Sequence, residues 1–325
     1  MQVYRNPASL PSFKNAVITI GTFDGVHTGH QQIILQLKKE AESIGGETLI
    51  ITFDPHPRKV VNGNPHDIRL INTLEEKIEL LARNGIDHLV IIPFTASFSQ
   101  LSAEEYIRDF LIEKFHPHTI IIGYDHRFGR GRMGDYHLME EMSPVYQYKL
   151  CEIPVHIQDA ISVSSTRIRT AIAGTEIEIA NQLLGYSFFF EGIVVEGDKL
   201  GYTIGYPTAN LFIADPEKIV PGEGVYAVQV SLQTNDSTPS GTFIPTDSQK
   251  FGGMMNIGIR PTVGGRKKMI EVNIFDFNHS IYGQTLRVYV EGWMRPEIKF
   301  GGLASLKDQL EKDAGLAKKI LESRH

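Results

Sequence analysis

The chain has 325 residues, of which 42% are hydrophobic and 22% charged, as in soluble globular proteins of about two domains. Its net charge of −6 at pH 7 argues against the broad basic surface of nucleic-acid-binding proteins, so we expect no nucleic-acid partner. The single cysteine, Cys151, excludes an intramolecular disulfide, and neither a signal-peptide pattern nor an apolar run of ~18 residues is present. We therefore predict a cytoplasmic protein with no membrane partner.

Strand-like and helix-like segments alternate in the first half of the chain. Strands are predicted at 16–23, 47–53, 89–93 and 119–123, with a further one within 144–153. One helix is predicted where the apolar residues Ile33, Ile34 and Leu37 fall at helical spacing. Two more are predicted from capping-box patterns, Thr73 with Glu76 and Ser102 with Glu105. This alternation predicts an α/β fold, a Rossmann-like parallel sheet with helices on both of its faces.

After Gly185 the pattern becomes rich in β-strands. Residues 164–184 are predicted to be helical with a break near Gly174. Short strands are then predicted at 187–196, 226–232, 253–257, 269–277 and 286–293, and one amphipathic helix at 303–323. These features predict a small antiparallel β-barrel with a C-terminal helix. We therefore place the domains at 1–185 and 186–325, with a long surface loop at 233–250.

The first chemical motif is GTFDGVHTGH, from Gly21 to His30, where a predicted strand ends and a helix begins. Open α/β sheets bind ligands at the carboxyl ends of their strands, and a helix N-terminus attracts anions. His27 and His30 lie at this helix start, where two imidazoles can stabilise charge during phosphoryl-type transfer. Further phosphate-binding candidates in the loop are Gly21, Phe23, Asp24 and Gly29. The alternative is a glycine turn with two ordinary surface histidines.

A second segment, Ser164-Ser165-Thr166-Arg167-Ile168-Arg169, opens the last predicted helix of this domain. Its hydroxyl groups suit a helix N-cap without any ligand, but arginines in a first turn oppose the helix dipole unless an anion binds. Together the two motifs resemble the H-x-G-H and S-S-T-x-x-R signatures of the nucleotidylyltransferase superfamily, which transfers AMP or CMP from a nucleoside triphosphate. The resemblance implies ATP as co-substrate. It also implies catalytic roles for His27, His30 and Arg169, and phosphate contacts from Ser164, Ser165, Thr166 and Arg167.

Two loops that follow predicted strands have the sequences TFDPHP at 52–57 and GYDHRFG at 123–129. Both resemble the flavin-side loops of bacterial FAD synthetases, although His126 stands where that family usually has Phe. The resemblance implies flavin contacts from Phe53, His56, Asp125 and Phe128. Alternatively, His56 between two prolines forms only a rigid turn.

Adenylylation of FMN needs no strong base, because the FMN phosphate itself attacks the α-phosphorus of ATP and releases pyrophosphate. The protein then contributes positioning and charge neutralisation through His27, His30 and Arg169, together with Mg²⁺. A phosphate ~4 Å away attracts an imidazolium by about 4 kcal/mol at an effective dielectric constant of about 20. The helix dipole opposes that charge by only roughly 0.3–1 kcal/mol. We therefore predict at least one charged histidine in the ATP complex.

The second chemical motif is the glycine-rich segment GDKLGYTIGYPTAN at 197–210. Its glycines expose backbone N–H groups suited to phosphates, and Thr208 with Asn210 offers hard oxygen ligands for Mg²⁺. No G-x-x-x-x-G-K-[ST] sequence occurs in the chain, which argues against a P-loop kinase. The predicted phosphate contacts are Gly197, Lys199, Gly201, Gly205 and Pro207. The alternative is a glycine-rich β-turn with a buried Thr and Asn.

Several segments of the second half resemble riboflavin kinases. They are GYPTAN at 205–210, GVYAV at 224–228, NIG with RPT between 256 and 262, EVNIFDF at 271–277, and RPE with KF between 295 and 300. The resemblance makes Glu271 the general base for the ribityl 5′-hydroxyl, a role worth typically ~10²–10⁴-fold. It also implies riboflavin contacts from Asn210, Arg295 and Glu297. The alternation of the strand leaves Glu271 open to a second interpretation, a solvent-facing residue.

The resemblances cover nearly the whole chain, in the order of a bifunctional enzyme that makes FMN from riboflavin and FAD from FMN. We therefore predict riboflavin, FMN, FAD and ATP as ligands and Mg²⁺ as cofactor; the sequence predicts no oligomeric state. One alternative is a monofunctional adenylyltransferase with a flavin-binding or regulatory barrel. Tyr202 and Asn273, where riboflavin kinases often have Arg and His, leave it open. A second alternative, transfer to pantetheine phosphate or a nicotinamide nucleotide, is opposed by the flavin-type loops.

Overall fold

The computed structural model describes residues 1–61, 68–123, 126–153, 165–197, 200–233, 249–262 and 265–323. These residues form two compact units, one within 1–153 and the other from Ser165 onward. The helical segment 165–184 belongs to the second unit, although our boundary near Gly185 assigns it to the first domain. Its packing is explained by Asn181, whose side-chain amide donates to the Val290 carbonyl at 2.9 Å. The boundary between the two functional domains, near Gly185, stays a prediction.

A six-stranded parallel sheet forms the centre of the first unit, and the predicted fold class is confirmed. Its strands are β1 (Gln2–Tyr4), β2 (Val17–Ile20), β3 (Thr48–Asp54), β4 (His88–Pro93), β5 (Thr119–Ile122) and β6 (Lys149–Glu152), in the order β1-β4-β3-β2-β5-β6. All neighbours in this order pair in parallel. Strand β2 and most of β3 are buried and rich in Ile, as expected for a parallel sheet with covered faces. The GTFDGVHTGH loop therefore leaves the carboxyl edge of a central strand.

Helices connect these strands. They are α1 (Thr28–Ile44), α2 (Pro57–Val61), α3 (Leu74–Arg83), α4 (Ala103–Glu105), α5 (Glu113–Phe115) and α6 (Tyr136–Tyr146), with a π-helix at Tyr106–Ile112 between α4 and α5 and 3₁₀ turns at Phe98–Gln100 and Arg130–Arg132. Both predicted capping boxes are confirmed at the starts of α3 and α4. The sequence does not predict α6, because this helix contains Pro144, a residue that disfavours helix interiors.

A closed antiparallel barrel forms the second unit, again as predicted. Its strands are β7 (Phe189–Val195), β8 (Ala209–Phe212), β9 (Gly224–Leu232), β10 (Lys250–Thr262), β11 (Gly265–Ile274) and β12 (Thr285–Arg295), in the order β10-β11-β8-β7-β12-β9. Tyr226, Val228 and Val288 are fully buried in this unit. Strand β8 is not predicted, because it is only four residues long and begins within the GYPTAN segment. Most of the predicted surface loop, 234–248, lies outside the described residues.

Four helices complete the described part of the second unit. They are α7 (Ser165–Ala173), α8 (Ile177–Leu184), α9 (Leu200–Thr203) and α10 (Leu303–Glu322). The break between α7 and α8 contains Gly174, as predicted, and α10 matches the predicted C-terminal helix. Ala317 of α10 packs against Ala227 of β9 and Met254 of β10, so α10 covers one face of these two strands. Among the described helices, none has the length and apolar character needed to span a bilayer.

Candidate active sites

The loop between β2 and α1 has an unusual backbone. Phe23, Gly25 and Val26 have φ angles of 48°, 95° and 36°, in the left-handed region that ordinary residues rarely adopt. Phe23 and Val26 are nevertheless buried, with 2% and 0% of their surfaces exposed. Backbone strain of this kind costs of order 1–3 kcal/mol per residue and is concentrated at functional sites, so it supports the functional interpretation of the motif.

The two histidines of this loop form one structural unit. The imidazole of His27 accepts a hydrogen bond from the His30 backbone N–H at 3.4 Å and thereby caps α1. The two rings stack with their centroids 3.7 Å apart, and the Phe23 ring lies 4.8 Å from that of His30. Because His27 is only 2% exposed, the alternative of two ordinary surface histidines is wrong.

Burial controls the charge of His30. Desolvation, followed by the positive charges of His27 and Lys77, lowers the pKa of His30 well below its ordinary value of 6.5. The groups of the protein therefore favour a neutral ring. The imidazolium that we predict in the ATP complex depends on the negative charge that ATP itself would supply.

Asp24, predicted to contact ATP, holds a neighbouring segment of the protein in place. Its Oδ1 accepts hydrogen bonds from the backbone N–H groups of Ile71 at 2.9 Å and Asn72 at 3.2 Å. These residues directly precede α3, so Asp24 ties the start of α3 to the segment 21–30, which we call the histidine loop. Lys77, in the same part of α3, is buried with 7% of its surface exposed. The sequence pattern does not distinguish Lys77, because a lysine in an amphipathic helix is usually a solvated residue.

The predicted flavin contacts lie at the same carboxyl edge of the sheet but are largely buried. Phe53 and Phe128 are 9% and 5% exposed and belong to the hydrophobic core of the sheet. The His56 imidazole accepts a hydrogen bond from the Arg58 N–H at 3.3 Å in α2, and the His126 ring lies 5.8 Å from that of Phe128. Asp125 lies outside the described residues. Flavin contact by these side chains stays a prediction.

The second predicted phosphate motif begins α7. Ser165 is the first residue of this helix, and Ile168 is fully buried and anchors its first turn. Arg167 is exposed and Arg169 half-buried, whereas Ser164 lies outside the described residues. Because α7 belongs to the second compact unit, a joint role of Arg169 with the stacked histidines stays a prediction.

The barrel aligns the polar residues of the second motif across three neighbouring strands. Asn210 of β8 lies directly opposite Glu271 of β11, and Glu271 lies directly opposite Asn256 of β10. Directly paired residues of antiparallel strands have their side chains on the same face, with Cβ atoms about 4.5–5.5 Å apart. Met254 and Asn256 are two residues apart in β10, so their side chains lie on the same face of the strand. The polar row therefore lies on the face that α10 covers at Met254. Strand pairing therefore brings the predicted base and a predicted Mg²⁺ ligand together.

Two predicted phosphate-binding glycines lie against the predicted Mg²⁺ ligands. A Cβ atom on Gly197 would lie 2.1 Å from Nδ2 of Asn210, so only glycine fits there without displacing that side chain. A Cβ atom on Gly201 would lie 2.2 Å from the Tyr206 carbonyl oxygen and 3.7 Å from Cγ2 of Thr208. The backbone thus approaches both ligands closely, which a simple β-turn does not require.

The residues around Asn210 fit a divalent cation such as Mg²⁺. Asn210 is 6% exposed, and its buried Oδ1 has no hydrogen-bond partner among the residues that the structure describes. Such an oxygen is costly to bury unless something binds it. Thr208, two residues earlier, adds a hydroxyl, and Glu271 adds a nearby carboxylate; all three are the hard oxygen donors that Mg²⁺ prefers.

The structure explains one departure from the kinase pattern and leaves another without a role. Asn273 is buried, and its Nδ2 donates to the Pro207 carbonyl at 2.8 Å, which fixes the GYPTAN segment against β11. An asparagine in place of histidine is therefore compatible with an ordered loop. The second departure, Tyr202, is 77% exposed, and no side-chain contact among the residues that the structure describes gives it a role. Of the predicted phosphate contacts nearby, Gly205 has a φ angle of 87°, and Lys199 lies outside the described residues.

Arg295 and Glu297 lie at the end of β12 and beyond. The Arg295 guanidinium donates to both carboxylate oxygens of Asp313 in α10, with an Nη2–Oδ2 distance of 2.7 Å and an Nε–Oδ1 distance of 3.0 Å. In this structure Arg295 thus anchors α10 to the barrel. A Cβ atom on Gly258 would lie 2.2 Å from Oε1 of Glu297, so this carboxylate lies on the face of β10 that carries Asn256.

Comparison with known proteins assigns each half of the chain to a family. Residues 10–167 match the FAD synthetase family, and residues 184–321 match the riboflavin kinase family. Curated relatives described as bifunctional riboflavin kinase/FMN adenylyltransferase match nearly end to end. That of Buchnera aphidicola is 37% identical over 94% of both chains, and that of Listeria monocytogenes is 36% identical over 92% of this chain and 90% of the relative.

The chain belongs to the bifunctional riboflavin kinase/FMN adenylyltransferase family. The Escherichia coli member is 33% identical over 92% of this chain and 91% of its own length. A solved structure from Streptococcus pneumoniae, described as a macrolide-efflux protein, has a TM-score of 0.83 and 30% identity, covering 97% of this chain and 98% of that one. The predictions of a two-activity transferase and of its order along the chain are confirmed, because the FAD synthetase match precedes the riboflavin kinase match.

Proposed function

We propose that the second unit phosphorylates riboflavin to FMN with ATP, and that the first unit transfers AMP from a second ATP to FMN, giving FAD and pyrophosphate. The observation that carries the kinase assignment is the row Asn210–Glu271–Asn256, which strand pairing assembles beside the glycine-rich loop. The stacked pair of the buried His27 and of His30, at the carboxyl edge of the sheet, carries the adenylyltransferase assignment.

In the kinase reaction, Glu271 is the general base. The ribityl 5′-hydroxyl attacks the γ-phosphorus of ATP, the bond from that phosphorus to the bridging oxygen breaks, and ADP leaves. The Glu271 carboxylate accepts the proton of the hydroxyl. Arg295 and Glu297 contact riboflavin at the end of β12, while the N–H groups of the loop at 197–205 and Pro207 surround the phosphates. Thr208 and Asn210 would hold Mg²⁺, which would neutralise charge on the phosphate oxygens.

In the adenylyltransferase reaction, the FMN phosphate is the nucleophile and the protein supplies no base. His27 and His30 at the start of α1 stabilise the charge that develops on the triphosphate. The backbone at Gly21, Phe23 and Gly29 approaches the phosphates, and Asp24 positions this loop. Ser164, Ser165, Thr166, Arg167 and Arg169 bind the remaining phosphate charge, and Phe53, His56, Asp125 and Phe128 contact the flavin. We also place the protein in the cytoplasm, where its single cysteine, Cys151, stays reduced.

A time course of flavin products tests this proposal. The protein is incubated with riboflavin, ATP and Mg²⁺, and flavins are resolved by chromatography; a parallel sample contains a chelator in place of Mg²⁺. We expect FMN to appear first and FAD later, with neither product in the chelator sample. FAD formed only from supplied FMN would indicate a monofunctional adenylyltransferase. No flavin product from either substrate would indicate a different acceptor.

A further inference from the structure

Lys77 is a nearly buried cation next to the histidine loop. Only 7% of its surface is exposed, and its backbone N–H donates to the Thr73 carbonyl at 3.0 Å in the first turn of α3. Lysines are almost never buried to this degree unless their charge is paired. The position of Lys77 therefore needs an explanation in terms of what its ammonium group binds.

The fold fixes Lys77 at the histidine loop. Asp24 accepts two backbone hydrogen bonds from the residues that precede α3, and these bonds tie the start of this helix to the loop. Lys77 is close enough to His30 for its charge to disfavour a protonated imidazole, and close enough to Asp24 and Asp54 to be stabilised by their charges. These residues all belong to the carboxyl edge of the sheet, where α/β proteins bind their ligands.

The protein compensates this charge only in part. Burial lowers the pKa of Lys77 despite the two carboxylates, and Oδ1 of Asp24 is already bonded to backbone N–H groups. Within the part of the chain that the structure describes, the ammonium group forms no hydrogen bond or ion pair. Removing most of a charged side chain from water without a close partner is unfavourable. An anion arriving at this edge would provide the missing partner.

We propose that Lys77 binds a phosphate group of the substrates in the adenylyl-transfer site. This inference rests on the proposed function of the first unit. The phosphate belongs to ATP or to FMN, which present the same chemistry to an ammonium group. The competing explanation makes Lys77 a structural counter-ion of Asp24 and Asp54 that never contacts a substrate.

The test compares Lys77→Met and Lys77→Arg with a control, Lys39→Met, whose lysine is exposed on α1. For each protein, kcat and KM are measured for FMN adenylylation with ATP and FMN varied separately, together with inhibition by pyrophosphate. The melting temperature and the rate of riboflavin phosphorylation are recorded on the same samples. We expect kcat/KM for adenylylation to fall at least tenfold in Lys77→Met, with weaker pyrophosphate inhibition and partial recovery in Lys77→Arg. A larger effect on the KM of one substrate identifies whose phosphate is bound.

Stability separates binding from a structural role. Because an incompletely paired buried charge is unfavourable, Lys77→Met should melt at the wild-type temperature or above it, while activity falls. Unchanged adenylylation in Lys77→Met would overturn the inference. So would a lowered melting temperature combined with wild-type affinity for pyrophosphate, which is the result of a structural counter-ion. Absence of adenylylation in the wild-type protein would instead refute the proposed function itself.

Discussion

The close approach of Gly197 to Asn210 makes a one-carbon substitution a sharp test of the kinase site. In Gly197→Ala the new Cβ atom would lie 2.1 Å from Nδ2 of Asn210, whereas an ordinary van der Waals contact begins at 3.4 Å. Either the loop or the Asn210 side chain must then move by more than an ångström. Asn210 is buried and pairs directly with Glu271, so the shift would separate the predicted Mg²⁺ ligand from the predicted base.

The size of the effect follows from that displacement. A misplacement of about 1 Å in a catalytic arrangement can reduce the rate by about 10²-fold. We therefore expect kcat for riboflavin phosphorylation to fall by about 10²-fold in Gly197→Ala, while the conversion of FMN to FAD keeps its wild-type rate. Both rates are measured by chromatography of flavins on the same protein sample, so the adenylyltransferase serves as an internal control for folding and concentration.

A matched glycine substitution controls for general effects on the second unit. Gly315 lies in α10, and a Cβ atom there would meet nothing within 4 Å. Gly315→Ala should leave the kinase rate unchanged and stabilise the helix by about 0.5–1 kcal/mol. Wild-type kinase activity in Gly197→Ala would refute the reasoning, because it would mean that the geometry at Asn210 does not matter for the reaction.

Two further predictions concern stability. Asp313→Asn should destabilise the second unit by about 3 kcal/mol, because it leaves the Arg295 guanidinium without its buried carboxylate. Urea unfolding, followed by the fluorescence of the single tryptophan, Trp293, measures this loss, with substitution of the exposed Asp308 by Asn as control. A loss of stability below about 1 kcal/mol would contradict the prediction. The pKa of His30 is lowered below 6.5, so the unfolded chain binds a proton in acid that the folded chain does not. The first unit should therefore lose stability as pH falls below 6.5, and His30→Gln should weaken that dependence; identical pH profiles for both proteins would contradict the assignment.

Local sequence patterns predict the elements of this chain well. The capping boxes at Thr73 and Ser102 involve residues three positions apart, so their hydrogen bonds can be read directly from the sequence. The buried Ile-rich strands stand out for the same reason. Strand β8 is not recognisable, because four residues just after Gly205 and Pro207 become a strand only by pairing with β7 and β11. Pro144 similarly conceals α6.

The geometry of the sites depends on contacts between distant segments, which the sequence does not display. Glu271 and Asn210 are neighbours only because the barrel closes with a particular register. Lys77 has the spacing of a solvated helical residue, and its burial beside the histidine loop follows from the bonds of Asp24 to the chain before α3. Arg295, predicted from resemblance to contact riboflavin, also forms an ion pair with Asp313 that no local pattern indicates.

The central claim, two separate catalytic sites in one chain, is tested most directly by two variants in one assay. Glu271→Gln removes the predicted kinase base, and His30→Gln removes an imidazole of the predicted adenylyltransferase site. With ATP and Mg²⁺, we expect Glu271→Gln to leave riboflavin unconverted yet turn supplied FMN into FAD at the wild-type rate. We expect His30→Gln to accumulate FMN from riboflavin without forming FAD. Loss of both activities in either folded variant would contradict the claim of two independent sites.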